Sequence, residues 1–483
     1  MTAPSAEALA LRVLLASFAG PTLPAEWRDL LADGLGGVCL FGSNLTGTRA
    51  ETAALVDAVR SARPGALVAV DEEGGDVTRL HTGTASPVLG AAVLGAVDDV
   101  DLTEATGRAV GDDLAALGID LDLGPVADVN SHPDNPVIGT RSFGATPDLV
   151  ARHVAAWVRG VQSAGVAACV KHFPGHGDTA QDSHLTLPVL DADAETLATR
   201  ELPPFAAAIG AGAASVMTSH LVVPALDPDR PATFSAPILD RLRALGFDGA
   251  IVSDALDMAG ASGEGAAGRG IAEAAVLALG AGADLLCVGP DKDAALIREI
   301  QASIVAAVAD GRLPLARLRD AAGRVDRLRV ATPGTSQAGA TIPAVPDPGR
   351  VRAAARGALI AEGTLPDLRG AVVVSVDTPA NIAVGAGRWG VEPDLVVAPG
   401  EPVPDGHGPL VVQVRDAHRR PEIGAMLAAA RPALVVEWGW PGPRTGWSDE
   451  GPERPPARIC TRGNAAPVIA AVEELMREAG WDR

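Results

Sequence analysis

The chain has 483 residues, 47% hydrophobic and 20% charged, with 39 Lys and Arg against 60 Asp and Glu for a formal charge of −21. That length allows two or three domains of about 150 residues each, and the composition is globular, not disordered. An acidic excess of this size repels nucleic-acid phosphates and anionic lipid heads, and no local Lys/Arg cluster offsets it, so neither is an expected partner.

The first twenty residues carry Glu7 ahead of their apolar stretch and Arg12 inside it, the reverse of a secretory leader. No uncharged apolar run reaches the roughly 18 residues that a spanning helix needs. Cys39, Cys169, Cys287 and Cys460 are far apart in sequence, and the first three lie in apolar runs, which predicts buried reduced thiols. Together these features predict a soluble, cytoplasmic protein.

Through the first 330 residues, short apolar runs end in polar or glycine-rich turns. They are RVLLASFAG (12–20), GGVCLFG (36–42), ALVAVDEEGG (66–75), IDLDLGPVADV (119–129), VAACVKHFPGHG (166–177), ASVMTSH (214–220), GAIVSDALD (249–257) and ADLLCVGP (283–290). Between them lie stretches of helical spacing that stop at Gly, such as PDLVARHVAAWVRGVQSAG. Continuous apolar strands separated by helices predict a parallel sheet buried on both faces. Eight strand–helix repeats suit a (β/α)8 TIM-type barrel, with an open doubly wound sheet as the rival. Polar residues gather at the C-terminal ends of the runs: Asp71, Asp128, Lys171 with His172, Ser219 with His220, and Asp254. In a barrel those ends form one face, the face that carries active sites.

Residues 331–350 hold Pro, Gly, Ser and Thr without periodicity and read as a linker. Helix and strand patterns alternate again beyond it. The expected division is a catalytic barrel over 1–330, the linker, and a smaller α/β sandwich domain over 351–483, with no phosphate-cradling glycine motif after its first strand.

The densest chemistry lies in KHFPGHGDTAQDSH, residues 171–184, where three His, two Asp and one Lys are broken by Pro and Gly and must form a loop. One reading is a metal site from His172, His176 and His184 with Asp178 and Asp182, against which the cation of Lys171 would compete. The other pairs Asp182 with His184. At i,i+2 in an extended loop the carboxylate holds one imidazole nitrogen, and the other exchanges a proton near neutral pH. Such a pair needs a partner that forms a covalent intermediate. Asp254, ending the strand in IVSDALDM, is the candidate nucleophile, with a helix N-cap as its bland alternative.

Five motifs in order, DEEGGDVTRL, IGTRSF, KHFPGHG, DSH and SDALDM, resemble glycoside hydrolase family 3 over residues 10–330, and within it the β-N-acetylglucosaminidase (β-hexosaminidase) branch. The resemblance implies a barrel and retaining hydrolysis through a glycosyl-enzyme intermediate, with no cofactor and no metal. It assigns Asp254 as nucleophile, His184 as acid/base and Asp182 as the group orienting it. Asp71, Arg79, Arg141, Lys171 and His172 match sugar-binding positions. Asp76 departs from the motif, standing where Arg is usual, which would alter charge at the edge of the site.

Retaining enzymes commonly hold two carboxyls about 5 to 5.5 Å apart, and here His184 would replace one of them. Gly175 and Gly177 would let that loop swing in. The substrate-assisted route needs an acidic pair at the acetamide, and DLDLG (120–124) lacks the following Glu, so that route is rejected. A phosphate-dependent phosphorylase is the first alternative, since an imidazole tolerates phosphate where a carboxylate repels it. A β-glucosidase of the same family and a catalytically silent sugar-binding protein are the others. Expected substrates are small GlcNAc-containing disaccharides, muropeptide- or chitin-derived. Glu437, in Glu437-Trp438-Gly439-Trp440, is the reserve acid/base on a sugar platform. Ser219 and His220 either line the pocket or form a satisfied core pair. Ala259–Gly270 reads as a mobile cover.

Overall fold

In the computed structural model the described residues are 4–181, 187–263, 268–330, 346–378, 383–385, 387, 389–403, 408–447 and 456–483. Their contacts form two units: 1–73, 103–136 and 144–344 in the first, and 74–102, 137–143 and 345–483 in the second. Part of the expected linker, residues 331–345, lies outside the described residues, and Pro348–Ala358 is helical.

The first unit holds a closed parallel barrel of eight strands: β1 Leu14–Ala16, β2 Gly37–Leu40, β3 Leu67–Val70, β4 Leu121–Asp122, β5 Ala167–Phe173, β6 Ser215–Thr218, β7 Ala250–Ser253 and β8 Leu285–Cys287. Each strand pairs with its sequence neighbour, and β1 closes on β8 with Leu14 opposite Leu286. Each expected run supplied one strand. Closure excludes the open-sheet rival.

Side chains alternate along a strand, and the alternation sorts the barrel. Leu67 and Ala69 of β3, Ala167 and Cys169 of β5, and Ala250 and Val252 of β7 share one buried interior cluster. Continuing each series by two residues reaches Asp71, Lys171 and Asp254. The period that fills the interior with small apolar groups thus delivers the polar residues to its C-terminal mouth. Outside, the helix Pro147–Ser163 shows the complementary pattern. Val150, Val154, Trp157, Val158 and Val161 are buried at 3.6-residue spacing, Pro opens it, and Gly165 follows with φ +83°.

The second unit has a six-stranded sheet: β9 Ile360–Glu362, β10 Val372–Val376, β11 Leu395–Val397, β12 Leu410–Val414, β13 Leu434–Glu437 and β14 Ala457–Cys460. Its order is β9-β14-β13-β12-β10-β11, parallel except for the β9–β14 pair. Val374, Val412, Val414 and Val435 pack with Ile423, Leu427 and Trp447 in its core. All four cysteines are buried thiols. No described helix is long and apolar enough to cross a membrane.

Candidate active site

Two buried constellations stand at the mouth of the first unit's barrel. In one, the Lys171 ammonium lies 2.6 Å from Asp71 Oδ1 and 2.6 Å from Glu73 Oε1. Lys171 is 2% exposed, so its charge is held by carboxylates in place of water. Lys171 thus bridges the two carboxylates.

The second constellation is centred on Asp128, which has no solvent exposure. Its Oδ2 lies 2.7 Å from His172 Nδ1, while the backbone N–H groups of His172 and His176 donate to Oδ1 at 3.2 and 2.8 Å. Burial acts to raise this carboxyl, but the His172 ring and these donors outweigh it and hold Asp128 below the usual carboxylate range. An ionised Asp128 only accepts hydrogen bonds, so Nδ1 of His172 carries the proton and the ring presents Nε2 as its other nitrogen.

His176, buried, meets Thr179 Oγ1 through Nδ1 at 2.9 Å and faces the His172 ring edge-on, with centroids 6.2 Å apart. Burial pushes its imidazole down to about 4, so it is neutral at physiological pH. Asn135 Nδ2 donates to the His176 carbonyl at 2.8 Å, and a Cβ on Gly177 would collide with the Val129 carbonyl. The start of this loop therefore needs Gly177 for close approach to the segment after β4. Next along the chain, Asp178 Oδ2 accepts from Arg200 at 2.6 Å, and Arg200 also pairs with Glu201 at 2.6 Å.

Of the five residues in the metal reading, His172, His176 and Asp178 thus have protein partners. Asp182 and His184 lie outside the described residues. Among the described residues no cluster of three or more His, Cys, Asp or Glu is arranged to hold a metal ion.

Asp254 follows β7, and its Oδ1 accepts from the Ala255 N–H at 2.8 Å. Ser219 Oγ donates to the Phe173 carbonyl at 2.9 Å, and both nitrogens of the fully buried His220 are engaged, which makes this pair satisfied core and not pocket lining. In DLDLG, Asp120 accepts from Val68 N–H and pairs with Arg60, while Asp122 accepts from Glu72 N–H. Both aspartates brace the barrel.

Arg79 and Arg141 belong to the second unit. Arg79 donates to the carbonyls of Ala383 at 2.6 Å and Val384 at 3.2 Å, and the buried Arg141 donates to the Val137 carbonyl at 3.2 Å. Asp76 accepts from the Thr140 hydroxyl and, at 2.9 Å, from the Asn464 N–H. Its side chain is thus tied to Thr140 and Asn464, partners that the sequence pattern did not reveal.

The expectation for Glu437 is corrected. It is fully buried and accepts from the N–H groups of Asp416 at 2.7 Å, Gly439 at 2.8 Å and Ala417 at 3.0 Å. Trp438 is 1% exposed, and its indole N–H donates to Gln413 Oε1 at 3.0 Å. A carboxylate spent on three backbone donors beside an enclosed indole is a loop anchor, not an acid/base on a sugar platform. In the expected cover, residues 264–267 lie outside the described residues.

Sequence reading gave Glu73 no role, weighed His176 only as a metal ligand, and placed Asp128 at a strand end without its partner His172. All three stand in motifs already singled out. Their polar character at strand ends was visible, but their partners were not.

The family model described as the glycosyl hydrolase family 3 N terminal domain matches residues 19–328. A β-hexosaminidase of Methylococcus capsulatus is 38% identical over 289 residues, covering 58% of this chain and 84% of that protein. β-Hexosaminidase A of Pseudoalteromonas piscicida is 39% identical over 266 residues, half of this chain, which spans 44% of that longer relative. A solved family 3 β-N-acetylglucosaminidase from Paenibacillus superposes over 99% of this chain and 97% of its own, with a TM-score of 0.85 at 29% identity. The family model takes in seven of the eight strand runs and the last two residues of the first, leaving β1 outside, and it includes both buried constellations and Asp254. The chain belongs to glycosyl hydrolase family 3 and has that family's enzyme fold.

Proposed function

We propose that the protein is a retaining β-N-acetylglucosaminidase that releases terminal non-reducing β-GlcNAc from small glycosides. The observation that carries this reading is the convergence of Asp254, on the interior-facing series of β7, with the Asp71–Lys171–Glu73 and Asp128–His172 constellations at one barrel mouth. Asp254 attacks the anomeric carbon, forming a glycosyl–aspartyl ester. His184, oriented by Asp182, gives its proton to the departing oxygen and later takes one from the water that hydrolyses the ester. Asp71, Lys171 and His172 supply the fixed donors and acceptors that sugar hydroxyls need, and the motif match adds Arg79 and Arg141 as sugar-binding positions. The carboxylates of Asp71 and Glu73 beside Lys171 favour the positive charge that develops on the ring in the transition state. The likeness to β-hexosaminidases and to the Paenibacillus enzyme supports the N-acetyl preference.

The test is turnover of an aryl N-acetylglucosaminide, with mass spectrometry of the protein during turnover of a slow fluorinated analogue. The wild type should gain the mass of one sugar on Asp254, and Asp254→Asn should lose both label and turnover. His184→Ala should lose far less activity on a good aryl leaving group than on a natural disaccharide. Turnover by Asp254→Asn at the wild-type rate would end the proposal, and a rate that requires phosphate would replace hydrolysis with phosphorolysis.

A further inference from the structure

The loop after β6 carries a chain of hydrogen bonds that ends beside the proposed nucleophile. Thr218 Oγ1 and Thr233 Oγ1 are 2.8 Å apart, Thr233 Oγ1 and His220 Nδ1 2.9 Å, and His220 Nε2 and the Ala255 carbonyl oxygen 3.0 Å. Thr218, Thr233 and His220 are completely buried, so no water substitutes for a missing partner.

The chemistry of these atoms sets a direction. A carbonyl oxygen only accepts, so Nε2 of His220 must carry a proton. In the neutral ring Nδ1 then accepts from the Thr233 hydroxyl, whose oxygen also lies 3.0 Å from the Ser219 carbonyl, so its one proton is shared between the two acceptors. That hydroxyl has one proton, so its oxygen accepts from Thr218. The ring orientation is set independently by Phe234, stacked at 6.4 Å between centroids and 25° between planes.

What the chain holds is the peptide between Ala255 and Leu256. Its carbonyl accepts from His220, while its N–H, that of Leu256, donates to the Cys287 carbonyl at 2.9 Å. Both ends of this peptide are pinned, one to the loop after β6 and one to β8. The preceding N–H, of Ala255, is the donor to Asp254 Oδ1. A backbone unable to rotate on one side of Asp254 keeps that donor aimed at the carboxylate, and attack on an anomeric carbon depends on this aim. An error of about 1 Å in such positioning costs on the order of a hundredfold in rate.

We propose that His220 is a positioning residue for the glycosidase reaction: held as the Nε2–H tautomer by Thr233, it locks the backbone after Asp254 and so orients the nucleophilic carboxylate. The inference rests on the reading of Asp254 as nucleophile.

The experiment compares His220→Leu, which removes the donor at similar volume, with His220→Gln, whose side-chain amide can still donate to the Ala255 carbonyl. Thr233→Val and Thr233→Ser form a second pair. On an aryl N-acetylglucosaminide, His220→Leu should lower kcat about tenfold or more, with KM within about twofold. His220→Gln should recover most of that loss. Thr233→Val should lower kcat while Thr233→Ser keeps it. In 15N-histidine spectra, the resonances missing from His220→Gln should be those of a neutral ring protonated at Nε2.

A folded His220→Leu with wild-type kcat, a glutamine variant no better than leucine, or a ring protonated at Nδ1 alone would each overturn the proposal. If His220→Leu does not fold, the Thr233 pair and the spectra decide. Asp254→Asn separates the two layers. Full turnover by that variant refutes the nucleophile itself, whereas an inactive Asp254→Asn beside an unimpaired His220→Leu refutes only the positioning role.

Discussion

Replacing Asp128 by Asn keeps the shape of the side chain and removes only its charge and one acceptor. In the wild type, one carboxylate oxygen accepts from two backbone N–H groups, and the other lies 2.7 Å from the protonated Nδ1 of His172. An amide cannot satisfy both sides. If its oxygen stays on the backbone pair, its NH2 faces the His172 N–H, donor against donor. The ring must then move or lose this contact, which changes how it presents the nitrogen proposed for sugar contact.

Each hydrogen bond to a charged group contributes about 1.5 to 3 kcal/mol, and Asp128 is fully buried. Losing one bond and weakening two should cost about 2 to 4 kcal/mol of stability near neutral pH. The folded-state carboxyl is held low, so its stabilising contribution is complete above the unfolded value of about 3.9. It disappears as pH falls through the folded-state value. The gap between wild type and Asp128→Asn, read by urea denaturation, should therefore be constant at neutral pH and close in acid. Loss of His172 alignment should also lower kcat/KM on an aryl N-acetylglucosaminide about ten- to a hundredfold. A variant within about 0.5 kcal/mol of wild type, with kcat/KM within twofold, would refute this account of the cluster.

Two other substitutions probe neighbouring claims. Glu437→Gln should destabilise by about 1 to 3 kcal/mol, because one of its backbone donors then faces an NH2 group, while specific activity of the folded protein is unchanged. Lost activity at unaltered thermal stability would return Glu437 to the reaction. Burial pushes Glu201 up to about 7 despite its Arg200 partner. Between its unfolded value and 7 the folded state holds a proton that the unfolded state releases, so this group's contribution to stability falls as pH rises through that window and is level above it. Glu201→Gln should abolish about 2 to 4 kcal/mol of that pH dependence; parallel urea midpoints for the two proteins from pH 4.5 to 7.5 would contradict the shift.

The barrel was readable because its strands are short apolar runs and its mouth is a change from apolar to polar at the end of each run. Both are local properties, carried by consecutive side chains such as Val68-Ala69-Val70-Asp71. The family motifs were readable for a related reason: Lys171-His172, Asp182-Ser183-His184 and Asp254 are each compact in sequence.

Pairing was not local. Lys171 meets Asp71 across 100 residues, and His172 meets Asp128 across 44, because β3, β4 and β5 are neighbours in a closed sheet. Local pattern alone also assigned Glu437 and Trp438 a working surface, although the return of backbone N–H groups at 416, 417 and 439 consumes the carboxylate and encloses the indole. Likewise, the grouping of 74–102 and 137–143 with 345–483 follows from contacts that no composition shift announces. The sequence by itself determined which side chains reach the barrel mouth, since alternation along a strand depends only on chain geometry. The tertiary structure alone decided which of them are held in charged pairs and which are consumed as backbone anchors, because a buried polar group must find its partner wherever the fold brings one within hydrogen-bond reach.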